Sequence, residues 1–155
     1  MLDRKKNILI PYSELIPRII ALIGSEKDQT ANLANITAEL FANINLFWVG
    51  FYLVKDDSLV LGPFQGPVAC TRIQKGKGVC GDAWQQKEYI IVDDVNNYEG
   101  HISCSPLTKS ELVIPIIKGG VVVAVLDLDS DKLAFFNQED ANQLTLLCDW
   151  ISTII

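Results

Sequence analysis

The sequence predicts an α/β protein of the α+β kind, an antiparallel sheet covered by N- and C-terminal helices, and three observations predict it. Helical hydrophobic stripes are confined to the first and last segments. Between them lie β-branched and aromatic runs paired across turn signals, and a long polar loop interrupts those runs at 93–109.

Taken in order, Leu15, Ile16, Ile19, Ile20 and Ile23 share one helical stripe that Gly24 ends. Leu33, Ile36, Leu40 and Ile44 form a second stripe after Asp28, whose carboxylate suits an N-cap. Leu46 to Val54 has strand composition, and Asp56-Asp57 turns it into Ser58 to Leu61, so the pair reads as a hairpin. Val68 to Ile73 reads as a third strand, Gly81 to Lys87 as a short helix, and Tyr89 to Val92 as a buried strand. Leu112 to Ile117 and Val121 to Asp127 read as a second hairpin across Gly119-Gly120. Asn137 caps a last helix that carries Leu144, Leu147, Cys148, Ile151 and Ile154 on one face.

Composition narrows the function classes. The 155 residues, 49% hydrophobic and 21% charged, are enough for one packed core, and no repeat or linker divides them, so 1–155 is expected to form a single domain. The first ten residues hold no apolar run of export-signal length, and Leu112 to Leu126 is broken by Pro115, Lys118 and Gly119-Gly120, so no membrane span is expected. Thirteen basic against nineteen acidic residues, with no basic cluster beyond Arg4-Lys5-Lys6, argue against nucleic acid as a partner. A soluble, cytoplasmic protein with a small-molecule ligand is the expectation, and the acidic balance suits a ligand with a cationic group.

The four cysteines stand at 70, 80, 104 and 148, with no C-x-x-C pair and one histidine, so no metal site is expected. Cys148 lies on the apolar stripe of the last helix and reads as a packed hydrophobe. Cys70, Cys80 and Cys104 sit at element edges or in polar, Gly-rich segments where a thiol can reach solvent and ionise, which points to redox cycling in a reducing compartment. Gly76-Lys-Gly-Val-Cys-Gly81 fits G-x-G-x-x-G, but the helix after it is too short for a dinucleotide crossover. Those glycines read better as a tight turn presenting Cys80 near a helix start, where partial positive charge favours a thiolate. His101 and Cys104 also allow a cysteine hydrolase, for which the sequence offers no third orienting group.

Five segments in this order, Gly62-Pro-Phe-Gln-Gly-Pro-Val-Ala-Cys70, Gly76-Lys-Gly-Val-Cys-Gly81, Gly100-His-Ile-Ser-Cys104, Ser110-Glu111 and Leu126-Asp-Leu-Asp-Ser130, together resemble the free methionine-(R)-sulfoxide reductases, which use a GAF-type domain. The similarity runs from about Trp48 to the last helix. It departs from the family at Ser105, where Asp often follows the nucleophile, and at Tyr98-Glu99, where Phe-Pro is usual.

The resemblance implies reduction of free L-methionine-(R)-sulfoxide to L-methionine, with no bound cofactor and with thioredoxin as the external dithiol. It implies Cys104 as the attacking thiol, Cys70 as the principal resolving thiol and Cys80 as a further relay member. Glu111, Asp127 and Asp129 match the family's substrate-binding acids, and Trp48 and Tyr52 its aromatic wall. A homodimer is compatible with such a chain. The rival class is a GAF-type sensory module that binds a small ligand without catalysis. The chemistry is coherent with the residues: a thiolate attacks sulfur, an acid protonates the departing oxygen, and the resulting sulfenic acid condenses with a second thiol.

Overall fold

Hydrophobic alternation in the central strands sorts the interior into two cores, one on each face of a single sheet. The computed structural model describes residues 8–155, so residues 1–7 of the stretch read above for export signals, with Arg4-Lys5-Lys6, lie outside the described residues. Helices α1 (Tyr12–Ile23) and α2 (Gln29–Asn43) open the chain, and the expected Asp28 cap is present, its side chain accepting from Ala31 N–H at 2.8 Å. Strands β1 (Trp48–Lys55), β2 (Ser58–Gln65) and β3 (Arg72–Gln74) follow, then α3 (Gly78–Gln86) and β4 (Ile90–Val92). Strands β5 (Ser110–Lys118) and β6 (Val121–Ser130) form the second hairpin, and α4 (Gln138–Ile151) closes the fold.

The strands make one six-stranded antiparallel sheet in the order β3-β2-β1-β6-β5-β4. Odd positions of β1 and even positions of β5 and β6, among them Val49, Phe51, Leu112, Ile114 and Leu126, pack against α1, α2 and α4. The alternate positions Trp48, Tyr52, Val113 and Val125 face the other way and pack with Val79, Cys80 and Ala83 of α3. α4 is tied to α1 through the Tyr12 hydroxyl, which donates to Asp140 at 2.9 Å, while Asp140 also completes a capping box with Asn137. Among the described residues no helix is long and apolar enough to cross a membrane.

Two expectations shift. The third strand is shorter than Val68 to Ile73, because carbonyls upstream of Arg72 are taken by side chains of β1: Trp48 Nε1 donates to Pro67 O at 3.0 Å and the Tyr52 hydroxyl to Cys70 O at 2.8 Å. Helix α3 starts at Gly78, earlier than expected, so Cys80 lies inside its first turn. Gly81 makes this possible, since a Cβ there would stand 2.4 Å from the carbonyl oxygen of Gln74, closer than backbone can yield. Gly81→Ala is expected to displace α3 and destabilise the fold by about 1–3 kcal/mol, read as a lower urea midpoint with unchanged slope.

Candidate functional site

The site is written across three strands by their register. Trp48 of β1 pairs with Asp129 of β6, Asp129 with Glu111 of β5, and Glu111 with Val92 of β4, so one rung carries an indole and two carboxyls. Asp127 sits two residues along β6, on the same face, opposite Gly50 and Val113. Gly50 leaves the gap into which the indole leans, for a Cβ there would meet the Trp48 ring at 2.4 Å. Trp48 stacks with Phe64 at 5.4 Å and Tyr52 at 6.0 Å between ring centres, so Trp48 and Tyr52 share a wall.

These residues line a cleft of about 590 Å³, part of it open to solvent, closed on its other sides by the start of α3 and by the 101–108 loop. Glu111 and Asp127 are each 6% exposed, and Asp129 keeps partial solvent contact through the cleft. Burial pushes all three carboxyls well above the usual range. Mutual repulsion adds to it, from Asp129 on Glu111, from Glu111 on Asp127, and from Asp127 on Asp129. One oxygen of Asp127, Oδ1, is buried without a hydrogen-bond partner. A proton donor and an unsatisfied acceptor therefore coexist in one small volume.

Cys104 lines the same cleft as the carboxyls and belongs to a disulfide. Cys70 and Cys104, 34 residues apart, are bonded with Cα atoms 5.5 Å apart. Cys104 is exposed on its loop and Cys70 half-buried. Cys80 differs from the sequence expectation: it is a free thiol, 4% exposed, with Sγ 4.0 Å from Glu111 Oε1. Its pKa stands well above the ordinary value, from burial first and then from Asp127, Glu111 and Asp129. The expected thiolate at the helix start is corrected on that ground, since a helix terminus contributes at most about 2 kcal/mol, less than desolvation beside several acids removes. Cys148 is buried on α4, as the apolar stripe suggests.

Two further residues reach the cleft from outside the expected site set. His101 Nε2 lies 3.6 Å from Glu111 Oε2, and burial lowers the imidazole pKa. The other is Lys77, at the N-cap of α3. Donor atoms of Cys80, Glu111 and Asp127 come within 4.8 Å of one another, a spacing that a metal ion could use. Each of the three groups holds its proton above the ordinary range, so an ion would have to displace protons from all of them.

With this geometry in hand, relatives are informative. Residues 28–155 match the GAF domain family. The chain is 56% identical over 135 residues to GAF domain-containing protein A of Dictyostelium discoideum, covering 86% of this chain and 85% of that one. It is 46% identical over 151 residues to the free methionine-R-sulfoxide reductase of Saccharomyces cerevisiae, covering 95% and 83%. The crystal structure of free methionine-R-sulfoxide reductase from Neisseria meningitidis with its substrate superposes with a TM-score of 0.90 at 46% identity, covering 92% of this chain and 86% of that one. This chain belongs to the GAF domain family, on the branch that includes the free methionine-R-sulfoxide reductases.

Proposed function

We propose that the protein reduces free L-methionine-(R)-sulfoxide to L-methionine by thiol chemistry. The observation that carries this reading is the Cys70–Cys104 disulfide at the mouth of a cleft floored by Glu111, Asp127 and Asp129. A reductase of this kind is left with a disulfide after each turnover, whereas passive ligand binding gives an exposed disulfide no role.

In the reduced protein Cys104 attacks the sulfinyl sulfur as a thiolate while one carboxyl gives its proton to the oxygen. Methionine leaves, Cys104 becomes a sulfenic acid, and the Cys70 thiol condenses with it, releasing water and forming the disulfide. Cys80 is assigned only a secondary place in the relay, because its raised pKa disfavours the thiolate that exchange with the disulfide requires. Trp48 and Tyr52 form the wall for the methyl sulfoxide group. The ligand's ammonium neutralises part of the acid cluster, and Asp127 Oδ1 is the acceptor left for it. No bound cofactor enters the scheme; an external dithiol closes the cycle, with thioredoxin proposed as the donor in the cytoplasm.

With dithiothreitol as reductant, the wild type is expected to consume the R sulfoxide of free methionine and leave the S form untouched. Cys104→Ser should lose turnover, and Cys70→Ser should accumulate a sulfenic acid at position 104 that a dimedone probe labels. Turnover of both sulfoxides alike, or retained activity in Cys104→Ser, would sink the reading.

The carboxyl pKa shifts predict a pH limb with a definite sign. A donor whose pKa is raised stays protonated above the ordinary carboxyl range and empties as pH rises through the raised value. The kcat profile should therefore fall on that alkaline side, and one of Glu111→Gln, Asp127→Asn and Asp129→Asn should remove the limb. Three unchanged profiles would eliminate a carboxyl donor.

A further inference from the structure

Cys80 is the cleft thiol that the proposed reaction uses least, and its position is nonetheless closely fixed. Gly81 lets the first turn of α3 press against the Gln74 carbonyl, which holds the Cys80 thiol against the acids of the sheet. Sγ lies 4.0 Å from Glu111 Oε1. One donor atom each from Cys80, Glu111 and Asp127 falls within 4.8 Å of the other two, and all three residues are buried. A tetrahedral zinc ion, with bonds of about 2.0–2.3 Å, sets its sulfur and oxygen ligands about 3.5 Å apart, so side-chain shifts of less than about an ångström would close the three donors on one ion.

A second observation separates this cluster from an ordinary group of acids. Asp127 is 6% exposed, and its Oδ1 is buried with no hydrogen-bond partner. A buried acceptor left in that condition calls for a donor or a cation. Among the described residues no lysine or arginine pairs with Glu111, Asp127 or Asp129; His101 Nε2 stands 3.6 Å from the other oxygen of Glu111, outside the triad.

The donor set selects the ion. One sulfur and two carboxyl oxygens, in a cleft partly open to water, suit a thiophilic divalent ion with three protein ligands and one water. Magnesium and calcium favour oxygen-only sites and gain little from sulfur. We propose that Cys80, Glu111 and Asp127 form a binding site for one thiophilic divalent cation of the zinc class. Uptake is ligand exchange without redox change: the ion loses bound waters, gains one bond to sulfur and two to oxygen, and sends to solvent the protons those groups carry. The site stands on this geometry alone and is independent of the reductase reading.

The test titrates Co2+ into the full-length protein in its disulfide form, in which Cys70 and Cys104 are bonded and Cys80 and Cys148 are the remaining thiols. One equivalent should produce a sulfur-to-cobalt charge-transfer band in the near ultraviolet. Zn2+ should bleach that band, and excess Mg2+ should leave it. Cys80→Ser should abolish the band, and Cys148→Ala should keep it. Asp127→Asn should weaken Co2+ binding by on the order of tenfold or more; far-ultraviolet circular dichroism checks the fold of each variant, and Glu111→Gln reads the same site should Asp127→Asn not fold. No band in the wild type, a band that survives Cys80→Ser, unchanged affinity in the folded carboxyl variants, or displacement by Mg2+ as readily as by Zn2+ overturns the inference. Each of those results leaves turnover of the sulfoxide to be judged by its own assay.

Discussion

The cleft depends on one extra residue in β6. Near the Gly119-Gly120 turn, β5 and β6 pair as Lys118 with Val121 and Ile117 with Val122; beyond the irregularity at Ile116/Ile117 they pair as Ile116 with Ala124. Val123 is the residue without a partner, a β-bulge. Without it the register would bring Glu111 opposite Leu128, and because side chains alternate across a sheet, a one-residue slip sends the carboxyl to the wrong face. With it, Glu111 meets Asp129 and stands diagonal to Asp127. The electrostatics follow from this pairing. Burial first, and then mutual repulsion among three carboxyls on neighbouring positions, raises their pKa values well above the usual range.

The rest of the fold supports that arrangement from both sides. On one face α1, α2 and α4 bury the large apolar residues that stabilise the sheet, which lets the other face carry groups that oppose folding when charged. On that second face α3 roofs the acids with Cys80 and the aromatic residues of β1 form the side wall. The hydrogen bonds from Trp48 and Tyr52 to Pro67 and Cys70 have a double consequence. They pull the 67–70 segment out of the sheet, and they hold Cys70 where Cys104 can reach it. In the reaction proposed above, Tyr52 is thus both a wall of the cleft and a strut for Cys70.

Much of this was legible before any coordinates. The two hairpins announced themselves through turn residues, the terminal helices through their stripes, and the shared face of Asp127 and Asp129 through alternation. The family resemblance named the thiols and acids together. Long-range capture was not legible: the shortening of β3 follows from indole and phenol donors 18 and 19 residues away in sequence. Cys80 was misread for a related reason, since its place near a helix start was visible but its burial under three acids was not. His101 beside Glu111 depends on how the loop folds back over β5, and its spacing from Cys104 pointed elsewhere.

The claim on which the account turns is that burial, together with the sheet register that crowds them, raises the pKa of three carboxyls well above the ordinary range. Infrared spectroscopy reads this directly through the C=O stretch of protonated carboxyl groups. The wild type should keep that band as pH rises above the ordinary carboxyl range, diminished in Glu111→Gln, Asp127→Asn or Asp129→Asn. A wild-type band lost entirely within the ordinary carboxyl range would contradict the account.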